Sequence, residues 1–301
     1  MQCSLLREVR IFSKALTMQS QSFRDSQIIF ATNHGKAEAA RKPFADILGT
    51  QVQELPIDSD SLGTFSGEIA RPGSMLDALR GKIRLAQDRT DAPLILASEG
   101  SFTSSDGFGL LVHGIEMLML TDTRTGVDIV EQHISYQTNY ATATLRSLSD
   151  LHNFVHRIHF GSHALVLYPE GLPLVGNVHK GIMEIGEAER AFHLCSSLSP
   201  SQAVTGMSDM RAHLNPTRMK EIQECCKLLA KRLSTLCPRC SSGGFGLTAT
   251  VPGLPCSECG TPTQRPRGEL HTCAFCGEQR ELPRSDGKTF ALASECEWCN
   301  P

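Results

Sequence analysis

Four C-x-x-C pairs occupy the last 65 residues of this 301-residue chain: Cys237/Cys240, Cys256/Cys259, Cys273/Cys276 and Cys296/Cys299. Eight of the twelve cysteines lie there, and 15, 13 and 19 residues separate successive pairs. Two thiolates two residues apart can grip one side of a zinc(II) ion from a tight turn, and a second pair completes the tetrahedron. Eight thiolates therefore imply two zinc ions. Two pairings are open. Consecutive pairing puts Cys237, Cys240, Cys256 and Cys259 on one ion and Cys273, Cys276, Cys296 and Cys299 on the other. It gives each half a hairpin-length insert and is the expected arrangement. The alternative is an interleaved cross-brace, first pair with third and second with fourth. Repetition of one spacing four times argues against a disulfide framework.

A four-thiolate site leaves no open coordination position, so the expected role of the tail is structural. Six basic residues (Arg239, Arg265, Arg267, Arg280, Arg284, Lys288) face seven acidic ones (Glu258, Glu269, Glu278, Glu281, Asp286, Glu295, Glu297). Each four-thiolate site adds about two negative charges, because four anions meet one dication. The tail is thus acidic, which favours a protein partner over a nucleic-acid backbone. Phe275, Phe290 and Trp298 are expected to form its small core, and metal to fold it.

The whole chain has a formal net charge of −3, which gives no footprint for non-specific nucleic-acid binding. No apolar run reaches membrane-spanning length. Unpaired cysteines at 3, 195, 225 and 226 and the C-x-x-C pairs suit a reducing compartment, so the expected location is cytoplasmic. Residues 1–25, with scattered Arg and Lys among Ser and apolar residues, read as a disordered extension.

Residues 26–236 read as an α/β domain. Apolar runs at 27–32, 51–57 and 93–98 predict strands, as do 115–122, 130–142 and 163–169. Helices are predicted over 37–49, 74–87 and 184–195. Asn215-Pro216 opens a final helix, since Asn is a good N-cap and Pro suits the first turn. That helix delivers the chain to Cys237. Alternating strands and helices imply a sheet that is at least partly parallel and flanked by helices. Neither a G-x-S-x-G elbow nor a G-x-x-x-x-G-K-[ST] loop is present.

The first strand stops at Thr32-Asn33-His34-Gly35-Lys36, just before a helix. Unpaired N–H groups and the helix dipole suit an anion at such a turn. Thr32, Asn33 and Lys36 add a hydroxyl, an amide and a cation. The alternative is an ordinary turn with a solvated lysine. Asp209, Arg211, His213, Asn215 and Arg218 form a polar run that is either a capped helix start or part of a site. Glu116 is a rim residue or faces the same pocket.

The run A-T-N-H-G-K-A-E-A-A resembles the T-N-x-x-K-x-E-A opening of the inosine/xanthosine triphosphate pyrophosphatase superfamily. Ser98-Glu99-Gly100 is similar to its strand-end acidic residue followed by glycine, and Thr217-Arg218 to its late T-R motif. The resemblance implies a mixed sheet flanked by helices and hydrolysis of nucleoside triphosphates. It also implies phosphate contacts from Thr32, Asn33, Lys36 and Arg218, and Glu99 as magnesium ligand or general base. Lys36, Glu99 and Arg218 are then the catalytic set, with a nucleotide as partner. A second resemblance spans nearly the whole chain from about residue 26. ASEGSF (97–102), KGI (180–182), SDMRAHLNPTRM (208–219), GLPCSECGTPT (253–263) and CEWCNP look like a bacterial family of unknown function that joins such an α/β domain to this tail. TSSDGFGLLVHG (103–114) departs from that family's pattern. The other reading of the chain is a non-catalytic nucleotide-binding domain whose tail docks a protein.

Overall fold

Residue parity along two short apolar strands sets the layers. We describe residues 21–64, 67–104 and 112–301 of a computed structural model. β1 (Gln27–Ala31) pairs in parallel with β2 (Gln51–Leu55) and with β3 (Leu94–Ser104). β4 (Val112–Asp122) and β5 (Val127–Ser135) add antiparallel strands, giving a mixed sheet ordered β2-β1-β3-β4-β5. Side chains alternate between faces along a strand. Leu94 and Leu96 therefore join the core beneath α1 (Ala37–Leu48) and α5 (Pro216–Ser234). Ile95 and Ala97 join the opposite core beneath α2 (Met75–Gln87). Pro43 lies inside α1 and is buried there without ending the helix.

The local signals at the helix starts are used. Ser74 and Asp77 form a capping box on α2. The Asn215 side chain accepts from Arg218 N at 3.0 Å, capping α5 as expected.

A second sheet, ordered β6-β9-β7-β8, is built from β6 (Thr142–Leu145), β7 (Leu165–Pro169), β8 (His179–Ile182) and β9 (Val204–Ser208). α3 (Leu148–Arg157) and α4 (Ile185–Leu198) cover one face, where Leu165 and Leu167 are buried. The predicted strand 130–142 is in fact split. β5 ends at Ser135, and β6 starts at Thr142 in the other sheet. Continuous polar-apolar alternation conceals such a change of sheet.

The tail forms a three-stranded antiparallel sheet, β10 (Gly246–Pro252), β11 (Pro266–Thr272) and β12 (Gln279–Pro283). Phe290 and Trp298 do not form its core: they are 60% and 78% exposed. Of the three expected aromatics only Phe275 is packed: it joins the tail's small core of Phe245, Cys237 and Cys273 as expected, and also packs onto the main core, its ring 6.3 Å from that of Phe23. Phe23 is 2% exposed, and Gln21 bonds to Ser242 and Gly243. Gln21 and Phe23 thus link the α/β sheet to the tail, while residues 1–20 of the expected extension lie outside the described residues.

Candidate functional site

β1 stops at Ala31, but β3 continues to Ser104 because β4 pairs with it along its whole length. Past the end of β1, residues Ser98–Gly100 lose their parallel neighbour and open onto a cleft between the two sheets. Clefts at the carboxyl ends of parallel strands are common ligand sites in α/β sheets. The expected strand end at Ser98 is therefore a mid-strand position, and Glu99 projects from a continuing strand. The loop that departs from the family pattern falls largely at 105–111, outside the described residues.

Parity sorts the side chains here too. Glu99 shares a face with Ile95 and Ala97, so it meets α2: Lys82 Nζ donates to its carboxylate and to Ser98 O, the latter at 2.7 Å. Arg71 binds the other Glu99 oxygen and donates to Gly100 O at 2.8 Å. Ser98 and Gly100 face the α1 and α5 side. Lys36 Nζ donates to Ser98 Oγ at 3.1 Å. Arg218 crosses Gly100 to reach Glu116 on β4, Nε to Oε1 at 2.7 Å, and donates to Met210 O. Its guanidinium also lies over the Phe102 ring, 5.2 Å from the centroid.

The cleft, about 970 Å³ including its open mouth, is lined by Lys36, Arg71, Lys82, Lys180, Arg211 and Arg218. Against these six cations stand Asp60, Glu99 and Asp209. Three of the predicted residues, Lys36, Glu99 and Arg218, meet here, and Thr32 lines the same wall. Asn33 does not join them: it is exposed and outside the cleft lining. Of the polar run at 209–218, Asp209 and Arg211 line the cleft, bound to each other by Arg211 Nε to Asp209 Oδ1 at 3.0 Å. His213 stacks on His34, ring centroids 5.1 Å apart. Sequence reasoning missed Arg71, Lys82 and Lys180 as site residues. Lys180 sits in the quoted KGI string, but Arg71 and Lys82 carry no local signal.

Electrostatics in the cleft are strongly perturbed. Burial, reinforced by Arg218 and Lys82, brings the Lys36 amine down to about 7 against the pull of Glu116 and Glu99. Burial, then Lys36, His213 and the two arginines, holds His34 down at about 4, so it is neutral at pH 7. Burial would raise the Glu99 carboxyl, but Lys82 and Lys36 outweigh it and keep it below the usual carboxylate range.

Two of the cleft's three carboxylates are already engaged. Both Glu99 oxygens accept from cations, and Asp209 accepts from Arg211 and from Gly181 N. Among the described residues, the groups of three or more potential metal ligands are two cysteine tetrads. They are Cys237, Cys240, Cys273 and Cys276, and Cys256, Cys259, Cys296 and Cys299. The pairing is interleaved, correcting the consecutive expectation. Antiparallel pairing of β10 with β11 and of β11 with β12 brings the first and third knuckles to one end of the sheet. The bridge between Cys256 and Ala291 brings the last knuckle to the second. Sulfur separations across the pairs are 3.6, 3.6, 3.9 and 3.7 Å. A tetrahedron with metal–sulfur bonds of about 2.3 Å has edges of about 3.8 Å, whereas a disulfide needs about 2.05 Å. Both tetrads fit a tetrahedral metal and can each hold one ion.

The family model described as a domain of unknown function, DUF6671, matches residues 82–301. The chain belongs to the DUF6671 family. Comparison with curated proteins gives no match. The DUF6671 match takes in Lys82, Glu99, Lys180, Arg211, Arg218 and both tetrads, but starts after Lys36 and Arg71. Among the described residues no helix is long and apolar enough to cross a membrane.

Proposed function

We propose that the cleft binds the phosphate chain of a nucleotide or related phosphoanhydride, and that the tetrads hold two structural zinc ions that fix the tail. The observation that supports the cleft reading is convergence. Lys36 from the β1–α1 turn, Lys82 from α2 and Arg218 from α5 meet beside Ser98–Gly100, and among the described residues Lys36 is in no ion pair with a carboxylate. A buried amine whose charged form lacks a directly bonded carboxylate is held charged by an anionic guest. The tetrad sulfurs support zinc by type, number and spacing.

Hydrolysis of the bound phosphoanhydride is the second reading, favoured by the meeting of Lys36 and Arg218 next to a carboxylate. In it the two cations neutralise charge developing on phosphoryl oxygens. Glu99 acts there by holding Lys82 and Arg71 in place, since both its oxygens are engaged. Nucleoside triphosphate binding, with release of phosphate and pyrophosphate followed in parallel, tests both readings. Lys36→Ala should weaken binding on the order of tenfold or more, the scale of one charge-assisted contact. Unchanged affinity in Lys36→Ala sinks the cleft reading. Binding without product release, for substrates that include deaminated purines, leaves binding as the function.

A further inference from the structure

We infer that the cleft reads a chain of at least two phosphoryl groups and leaves the organic group attached to it outside, so that linear polyphosphate, free or carried by a nucleoside, is its ligand class. This rests on the phosphate-binding reading above and goes beyond it in saying what is recognised.

The cations stand on two walls. Lys36, Lys82 and Arg218 belong to the five-stranded sheet and its helices. Lys180 is on β8 of the other sheet, and Arg211 follows β9. A lone phosphate presents its charge at one centre. Cations on two sheets are met together by an anion with charge at several centres along a line. Beside the cleft, His34 of the β1–α1 turn stacks on His213 in the short helix between β9 and α5, where the chain passes from one wall to the other.

Pairing distinguishes the cations. Arg71 and Lys82 hold Glu99, Arg218 holds Glu116, Arg211 holds Asp209, and Lys180 holds Glu68. Lys36 has Ser98 Oγ as its hydrogen-bond partner and is buried. It is the anchor, and Lys180 across the cleft is the second point of contact.

Reading a base takes a free aromatic or planar face and polar groups aimed at its edge. Among the described residues the cleft lining has no Phe, Tyr or Trp, and Ala31 and Val166 are its apolar side chains. The neutral His34 ring already stacks on another imidazole. Every other described group in the lining is charged, hydroxylic or glycine, which suits phosphate oxygens.

Calorimetric titration of the full metal-loaded chain tests this, at about pH 6.5 where Lys36 is charged. Phosphate, pyrophosphate, tripolyphosphate, ATP, GTP, ITP and CTP are compared, with and without magnesium. Pyrophosphate and tripolyphosphate should bind roughly tenfold or more tighter than phosphate, and the four nucleotides within about threefold of tripolyphosphate. Lys180→Gln, checked for fold by circular dichroism, should remove most of the advantage of tripolyphosphate and leave phosphate within about twofold. A preference of about tenfold for one base, or nucleotides bound while tripolyphosphate is not, overturns the inference and leaves the phosphate reading standing. Failure of every anion to bind overturns both.

Discussion

Arg218, in the first turn of the last helix of the α/β domain, donates to Glu116 at the cleft's inner edge, Nε to Oε1 at 2.7 Å, with both side chains buried. The pair spans 102 residues of sequence and ties α5 to β4. It passes over Gly100, where an added Cβ would lie 2.3 Å from Arg218 Nη2 and 2.9 Å from Glu116 Oε1. Breaking such a pair from one side leaves an uncompensated buried charge. Glu116→Leu or Arg218→Met should each cost about 3–5 kcal/mol, and the double variant less than either single one. Gly100→Ala should also destabilise, by forcing the guanidinium aside. Denaturant unfolding of the four variants measures this, and additive single effects contradict a coupled pair.

Anion affinity should depend on pH through Lys36. Its amine titrates at about 7 in the empty cleft, so it is charged below that value and neutral above it. An anion needs the charged form, so affinity for tripolyphosphate should fall as pH rises through 7 and above, with proton uptake on binding. Lys36→Arg, which stays charged, should remove that dependence. Titrations from pH 5.5 to about 9, in buffers of different ionisation enthalpy, follow both effects.

Glu99 has the opposite sign. Its folded-state carboxyl is held below its ordinary value, so the stability it contributes is present above its unfolded value and lost as pH falls through the folded one. Glu99→Gln should therefore destabilise the protein at neutral pH, with the difference from the parent shrinking in acid. Thermal melts at stepped pH check it, and a difference that stays constant down to the acid transition contradicts the ion pairs.

Metal content reports the cysteine pairing. Cys237→Ser and Cys273→Ser each remove a ligand of one tetrad, so the double variant should keep one metal per chain. Cys237→Ser with Cys256→Ser breaks both tetrads and should keep none. Consecutive pairing predicts the reverse for the two double variants. Chelation of the parent protein should unfold the tail and expose the Phe23–Phe275 contact.

Phe23 should behave as a core residue although it lies in what the sequence presents as an extension. Phe23→Ala removes a side chain that is 2% exposed and should cost about 3–5 kcal/mol. A melting temperature unchanged from the parent would contradict its place in the core.

Local chemistry in the sequence specified much of this molecule. The C-x-x-C spacing determined the ligand type and number of two sites that can each hold a metal ion. Asn215-Pro216 determined where α5 begins, and short apolar runs determined β1 and the buried part of β3. Each depends on neighbours within a few residues, which is the range over which spacing and capping act. Tertiary structure decided the rest. Which knuckles share a tetrad follows from strand pairing in the tail. Glu99 lies within β3 rather than at its end because β4 continues to pair with it where β1 has stopped. The cleft's charge balance comes from Arg71 and Lys82, which share Glu99, and from Lys180, distant in sequence, which joins them because the second sheet faces the first. Among the described residues Lys36 ends as a buried amine without a bonded carboxylate, which burial and the packing of Arg218 and Lys82 around it decide.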